Sequence, residues 1–114
     1  AQLAADLAWR AGPGHRLLGW QDPDYPALLR RSPNPPPLLF VAGDAGLLWH
    51  PQVAIVGSRH PSAGGRERAH RFAEAFARAG WAVTSGLAEG IDAAAHAGAM
   101  AGGRTIAVVG TGPD

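Results

Sequence analysis

The sequence predicts an α/β fold: a Rossmann-like, doubly wound parallel sheet that stops after its third core strand, with a short helical N-terminal segment in front. Three observations predict it. The apolar runs at residues 53–57, 81–85 and 105–109 are short and lack alternation, as expected of parallel strands covered on both faces. The two segments between them carry apolar residues at helical spacing. The order is therefore β-α-β-α-β, and right-handed crossovers make that order half of a doubly wound sheet.

Residues 1–11 place Leu3, Leu7 and Ala11 on one side of a helix that Gly12-Pro13-Gly14 stops. Residues 17–20 read as a short strand. Residues 25–31 read as a short helix, with Pro26 at an early position where a missing N–H costs nothing. Four prolines in residues 32–37 exclude helix and central strand and leave a rigid extended connector. Residues 38–41 form a strand candidate at a sheet edge, closed by Gly43-Asp44. In the helix at 65–79, Ala69, Phe72, Ala73, Phe76 and Ala77 make the apolar face. Gly80 follows where a helix terminus favours a left-handed residue. The second helix spans residues 90–101 and is stopped by Gly102-Gly103.

Composition narrows the function. At 114 residues the chain holds at most one domain and an appended segment, and its 46% hydrophobic content is enough for a core. No run of about 18 apolar residues offers a membrane span, and no leader is visible, so the expected location is the cytoplasm. The first residue is Ala1 rather than Met, as in a fragment of a longer protein. With no cysteine, disulfides, thiolate catalysis and Cys-based zinc sites are excluded. The net charge of +1 does not by itself mark a nucleic-acid binder. All ten basic residues are Arg, however, and Arg59, Arg66, Arg68, Arg71 and Arg78 fall close together.

In a parallel sheet, ligands bind at the carboxyl ends of the strands. Three segments meet that edge: Gly57-Ser58-Arg59, the run from Ser85 and Gly86 through Leu87 and Ala88 to Gly90, and Gly110-Thr111-Gly112. Two of them lead into helices, whose first N–H groups attract anions. Ser58 and Ser85 supply hydroxyls, and Arg59 supplies a forked, permanently charged group suited to phosphate. The pattern fits a phosphate site built mainly from backbone. It also fits a plain strand-to-helix turn with Arg59 as a solvated charge. Gly57-Ser58-Arg59-His60-Pro61-Ser62 is not the dinucleotide fingerprint, and a chain without Lys has no Walker-type loop.

Tyr25-Pro26, the Pro35-Pro36-Pro37-Leu38-Leu39-Phe40 stretch, Val53-Ala54-Ile55-Val56-Gly57-Ser58-Arg59, Ser85-Gly86-Leu87-Ala88-Glu89-Gly90-Ile91-Asp92 with Ala95-His96, and Thr105-Ile106-Ala107-Val108 occur in an order and spacing similar to the DprA/Smf (DNA-processing) family. The resemblance runs from about residue 17 to the end of the chain. It implies single-stranded DNA binding in natural transformation and recombination, help in loading RecA recombinase on incoming DNA, self-association of the full-length protein, and no cofactor. It places Gly57, Ser58, Arg59, Ser85, Gly86, Leu87 and Ala88 in the DNA-binding pocket. It also makes residues 1–14 the tail of a small helical N-terminal domain and 15–114 the front part of the Rossmann-like domain. Gly64 departs from the family, which often has an aromatic residue there.

Asp92 and His96 are i, i+4 on one helix face. A hydrolase triad or a metal site lacks its further members. The expected role is structural, with Asp92 capping orphan N–H groups and His96 bonding to it. Glu67–Arg71 and Glu74–Arg78 are i, i+4 pairs that compensate much of the Arg-rich helix. The scattered Trp9, Trp20, Trp49 and Trp81 argue for packing, and His50 and His60 for surface loops. The reading is of a non-enzyme. The competing class is a phosphoribohydrolase resembling the lysine-decarboxylase-like (LOG) enzymes, whose P-G-G-x-G-T-x-x-E signature this sequence lacks; a small nucleotide-sensing module would need the same pocket.

Overall fold

The computed structural model describes Ala5, Ala8 and residues 10–110. The helix expected over residues 1–11 lies mostly outside these, as do Thr111 and Gly112 of the third expected turn. The chain divides into two compact units, one running to Trp49 and one spanning His50–Gly110. The 14/15 boundary expected from the sequence borders a segment half of which lies outside the described residues, and the division into compact units falls at 49/50. The reason is hydrogen bonding: the first two strands pair with each other and not with the parallel sheet.

In the first unit, β1 (His15–Gly19) pairs antiparallel with β2 (Leu38–Ala42), with Leu17 opposite Phe40. The segment between them carries the one-turn helix α1 (Ala27–Arg30), preceded by Pro26 at its N-cap. Tyr25 is fully buried, and its hydroxyl donates to Pro36 O at 2.7 Å. The Trp20 N–H donates to Pro37 O at 3.0 Å. The prolines of the connector have no N–H to donate, but Pro36 and Pro37 are pinned through their carbonyls, which proline keeps. Arg30 stacks over the Tyr25 ring, 5.5 Å from its centre, and donates to Trp20 O and Asp22 O. A 3₁₀ turn at Ala45–Trp49 follows, and Trp49 Nε1 donates to Asp24 O.

The second unit has the predicted order: β3 (Gln52–Ala54), α2 (Ala63–Arg78), β4 (Ala82–Ser85), α3 (Ile91–Ala99) and β5 (Thr105–Ala107). The strands form one parallel sheet in the order β3-β4-β5, with Val53 opposite Val83 and Val83 opposite Thr105. Two right-handed crossovers in one direction put α2 and α3 on the same face. Only β4 is buried through most of its length; β3 alternates, with Val53 and Ile55 against the core and Gln52 and Ala54 exposed. The expectation that each strand is covered on both faces therefore holds least for β3, and Val56 is 72% exposed.

Small side chains make the core: Ala73 and Ala77 of α2, Val83 of β4, and Ala95 and Ala99 of α3, with Phe76 packed against them. Alanines let the two helices approach closely. At the crossing, a methyl group on Gly98 would overlap the His70 carbonyl oxygen. Phe72, expected on the apolar face, lies to one side of the alanine stripe and is 59% exposed.

Both ends of α2 have explicit caps. Ser62 Oγ accepts the Gly65 N–H at 3.0 Å. At the other end, Gly80 has φ +97°, its N–H bonds Ala77 O, and the Trp81 N–H bonds Phe76 O. This is the Schellman pattern, and the hydrophobic contact that accompanies it is the edge-on Phe76–Trp81 pair, with ring centres 6.3 Å apart.

Two outcomes test this packing in the full-length protein by urea denaturation. Gly80→Ala, which strains φ but meets no neighbouring atom, is expected to cost about 1 kcal/mol. Gly98→Ala, which forces α2 and α3 apart, is expected to cost about 3 kcal/mol; equal losses would contradict the helix crossing described. Tyr25→Phe is expected to cost about 1 kcal/mol through the lost bond to Pro36 O, and an unchanged unfolding midpoint would show that this bond contributes nothing net.

Candidate functional site

The carboxyl ends of β3 and β4 deliver two turns to one edge of the second unit. After Ala54, the Ile55 N–H makes a last ladder bond to Thr84 O, and the chain then leaves the sheet as Val56, Gly57, Ser58, Arg59 and His60, all exposed. The turn does not lead directly into α2, which begins only at Ala63. It instead lies against the N-terminus of α3. The Ile91 N–H donates to Ser58 O at 3.1 Å, and Gly57 packs so closely on Ile91 that a Cβ would lie 2.9 Å from Ile91 Cγ1.

Gly90 makes this approach feasible. Its φ of +83° and ψ of −125° belong to backbone space that L-residues avoid, and a methyl group there would overlap the carbonyls of Ser58 and Arg59. The consequence for anion binding is specific. One of the N–H groups freed at the start of α3, that of Ile91, is already taken by Ser58 O and is not offered to a ligand.

The serines behave differently from each other. Ser58 is exposed and its Oγ accepts the His60 N–H at 3.0 Å, a local turn in which the hydroxyl hydrogen has no acceptor among the described residues. Ser85 is buried and its Oγ donates to Ile55 O at 2.6 Å. The sequence pattern alone offers both as hydroxyl donors to a ligand. Ser85 has one hydroxyl hydrogen, and it is spent tying β4 to the exit of β3. Gly86, Leu87 and Ala88 follow, with Leu87 68% exposed at the tip of the turn.

Arg59 is exposed and has no ion-pair or hydrogen-bond partner among the described residues. The predicted helix pairs are present, Arg71–Glu67 at 3.0 Å and Arg78–Glu74 at 3.7 Å. These exposed pairs add little stability but do neutralise charge along α2. Arg66 and Arg68 of α2, like Arg59 on the turn, have no ion-pair partner among the described residues.

The cap assigned to Asp92 and His96 is corrected. The N-cap of α3 is Gly90, and no side chain caps it. Asp92 is 8% exposed in the first turn, its carboxylate against Gly86, where a Cβ would lie 2.7 Å from Oδ2. Its charge suits the positive end of the helix, but His96 does not bond to it. His96 reaches out of the helix instead, with Nε2 2.6 Å from Gly86 O and Nδ1 2.6 Å from Thr105 Oγ1. His50 and His60 are exposed, as expected of loop residues.

The family model for DNA recombination-mediator protein A matches residues 16–114. Protein Smf from Synechocystis is 44% identical over 100 residues, which cover 82% of this chain and 25% of that protein. DNA processing protein A from Streptococcus pneumoniae superposes with a TM-score of 0.84 at 35% identity, covering 98% of this chain and 38% of that one. The Helicobacter pylori protein of the same name, whose structure was described for its single-stranded DNA binding mode, gives a TM-score of 0.71 at 30% identity over 82% of this chain and 41% of that one. The chain thus spans less than half the length of each of these relatives. With the family model matched from β1 onward and the parallel sheet superposing on solved relatives, the chain belongs to the DNA recombination-mediator protein A family.

Proposed function

We propose that this chain carries a single-stranded DNA-binding surface serving natural transformation and recombination in the cytoplasm, without catalysis of its own. The full-length protein would self-associate and help load RecA on incoming DNA. The observation that carries the DNA reading is the exposed Arg59, without an ion-pair partner among the described residues, on a turn of small residues at the carboxyl edge of the parallel sheet. A guanidinium there meets a phosphate without first breaking an ion pair. The neighbouring turn, Gly86 to Ala88, offers backbone and the exposed Leu87 side chain beside it. Residues 86–88 carry no polar side chain to read a base edge, and an Arg59 engaged on a phosphate reads none, which favours binding of any sequence.

The non-catalytic reading is supported by His96. A carbonyl and a hydroxyl already occupy both of its ring nitrogens, so it is poorly placed to act as a general base with Asp92. The absence of cysteine from the sequence agrees with a cytoplasmic location. Among the described residues no helix is long and apolar enough to cross a membrane.

Arg59→Ala in the full-length protein, titrated with homopolymer single strands at several salt concentrations, is the test. Affinity is expected to fall by a similar factor on every homopolymer, and the slope of log affinity against log salt to fall by about 0.7. An unchanged affinity and slope would show that Arg59 is a solvated charge and would remove the basis of the DNA reading.

A further inference from the structure

The turn from Gly86 to Glu89 is held by very little. Among the described residues, the one hydrogen bond made by residues 86–89 is the one between Gly86 O and His96 Nε2. Its flanks are firmly tied: Ser85 O accepts the Val108 N–H, Ser85 Oγ donates to Ile55 O, and Gly90 O accepts the Ala94 N–H. Between those anchors, Leu87 and Glu89 are exposed and no strand partner is present. A glycine-containing turn with no backbone bonds of its own samples many conformations unless a side chain selects one.

We propose that His96 is the positioning residue of this turn, a clamp that fixes the Gly86 carbonyl and so sets the direction in which the Gly86–Ala88 backbone faces its ligand. The inference rests on the DNA-binding reading above and adds to it a residue that touches no DNA. Its chemistry is determined by the partners. Gly86 O has no hydrogen to give, so Nε2 must carry the proton and donate. In the neutral ring, Nδ1 is then an acceptor, and the Thr105 hydroxyl donates to it at 2.6 Å. Thr105 Oγ1 also lies 3.3 Å from Val83 O, so the hydroxyl sits between two acceptors and favours the nearer one. The imidazole therefore links three elements: it stands on α3, is oriented from β5, and holds the exit of β4. Asp92, one helical turn earlier, closes the other side of Gly86 by contact.

Three variants of the full-length protein separate this role from general stability. His96→Leu removes the donor, His96→Gln keeps an N–H within reach of Gly86 O, and Thr105→Val removes the group that orients the ring. The readouts are affinity for a labelled single-stranded oligonucleotide and backbone ¹⁵N order parameters at residues 86–89 in the free protein. His96→Leu is expected to weaken binding roughly tenfold and to lower the order parameters. His96→Gln should recover most of both, and Thr105→Val should show a smaller loss than His96→Leu. In the wild type, a ring N–H resonance should be assigned to Nε2 of His96. If His96→Leu does not fold, the Gln and Val variants decide: order parameters at 86–89 unchanged in Thr105→Val, with the ring proton on Nδ1, would overturn the clamp. So would a Gln variant as weak and as mobile as a folded Leu variant. If the wild type fails to bind the strand, the DNA reading falls, and the order parameters alone judge the clamp: unchanged values in His96→Leu would overturn it.

Discussion

The N-terminus of α3 and the turn after β3 meet backbone to backbone, and the candidate site depends on that contact. It exists because Gly90 has no Cβ and adopts a positive φ, and because Gly57 leaves room for Ile91. With a side chain at either position, the Ile91 N–H is carried away from Ser58 O and the two turns separate. The glycines in these blocks thus serve to bring two loops together as much as to admit a ligand. The contact also fixes what remains for a ligand to use: Ser58 O and the Ile91 N–H are spent on each other, while Arg59 and the Ser58 hydroxyl face outward.

The platform beneath the turns follows from side-chain size. Alanines at the α2–α3 contact bury little apolar area each, so close packing rather than bulk holds the helices to the sheet. Both helices lie on one face, which fixes the carboxyl edge in register: Val53, Val83 and Thr105 sit side by side beneath the helices. Thr105 of that row and Ser85, two residues beyond Val83 on the same face of β4, are each hydrogen-bonded. The same two residues support the edge where the turns emerge. Packing and site are therefore linked by two hydroxyls, the buried Ser85 and the half-buried Thr105, whose partners lie in other elements.

Periodicity and glycine placement made the second unit largely legible in the sequence. The parallel order and the Gly80 terminus could be read because a strand's hydrophobicity and a left-handed cap are local properties. The first unit was less legible. Nothing in the sequence pattern links residues 17–20 to residues 38–41, and only the observed register joins them as a hairpin-like pair of their own. The proline connector hid the ties that Pro36 O and Pro37 O make to Tyr25 and Trp20, because an acceptor leaves no trace in a sequence pattern. The partners of His96 are hidden in the sequence for a related reason. The i, i+4 spacing points to Asp92, but the ring finds partners on β5 and after β4, contacts that only the tertiary fold creates. Ser85 shows the same limit, since a serine at a strand end looks like a ligand donor until Ile55 O is seen beside it.

In the proposed function the Gly57–Arg59 and Gly86–Ala88 turns act as one binding surface. Backbone amide chemical shifts of the full-length protein, followed while a homopolymer single strand is added, address it most directly. Shifts of Gly57, Ser58, Arg59, Gly86, Leu87 and Ala88 that saturate together, with smaller changes along the paired Glu67–Arg71 and Glu74–Arg78 face of α2, are the predicted result. Shifts confined to α2, with both turns unmoved at saturation, would contradict it.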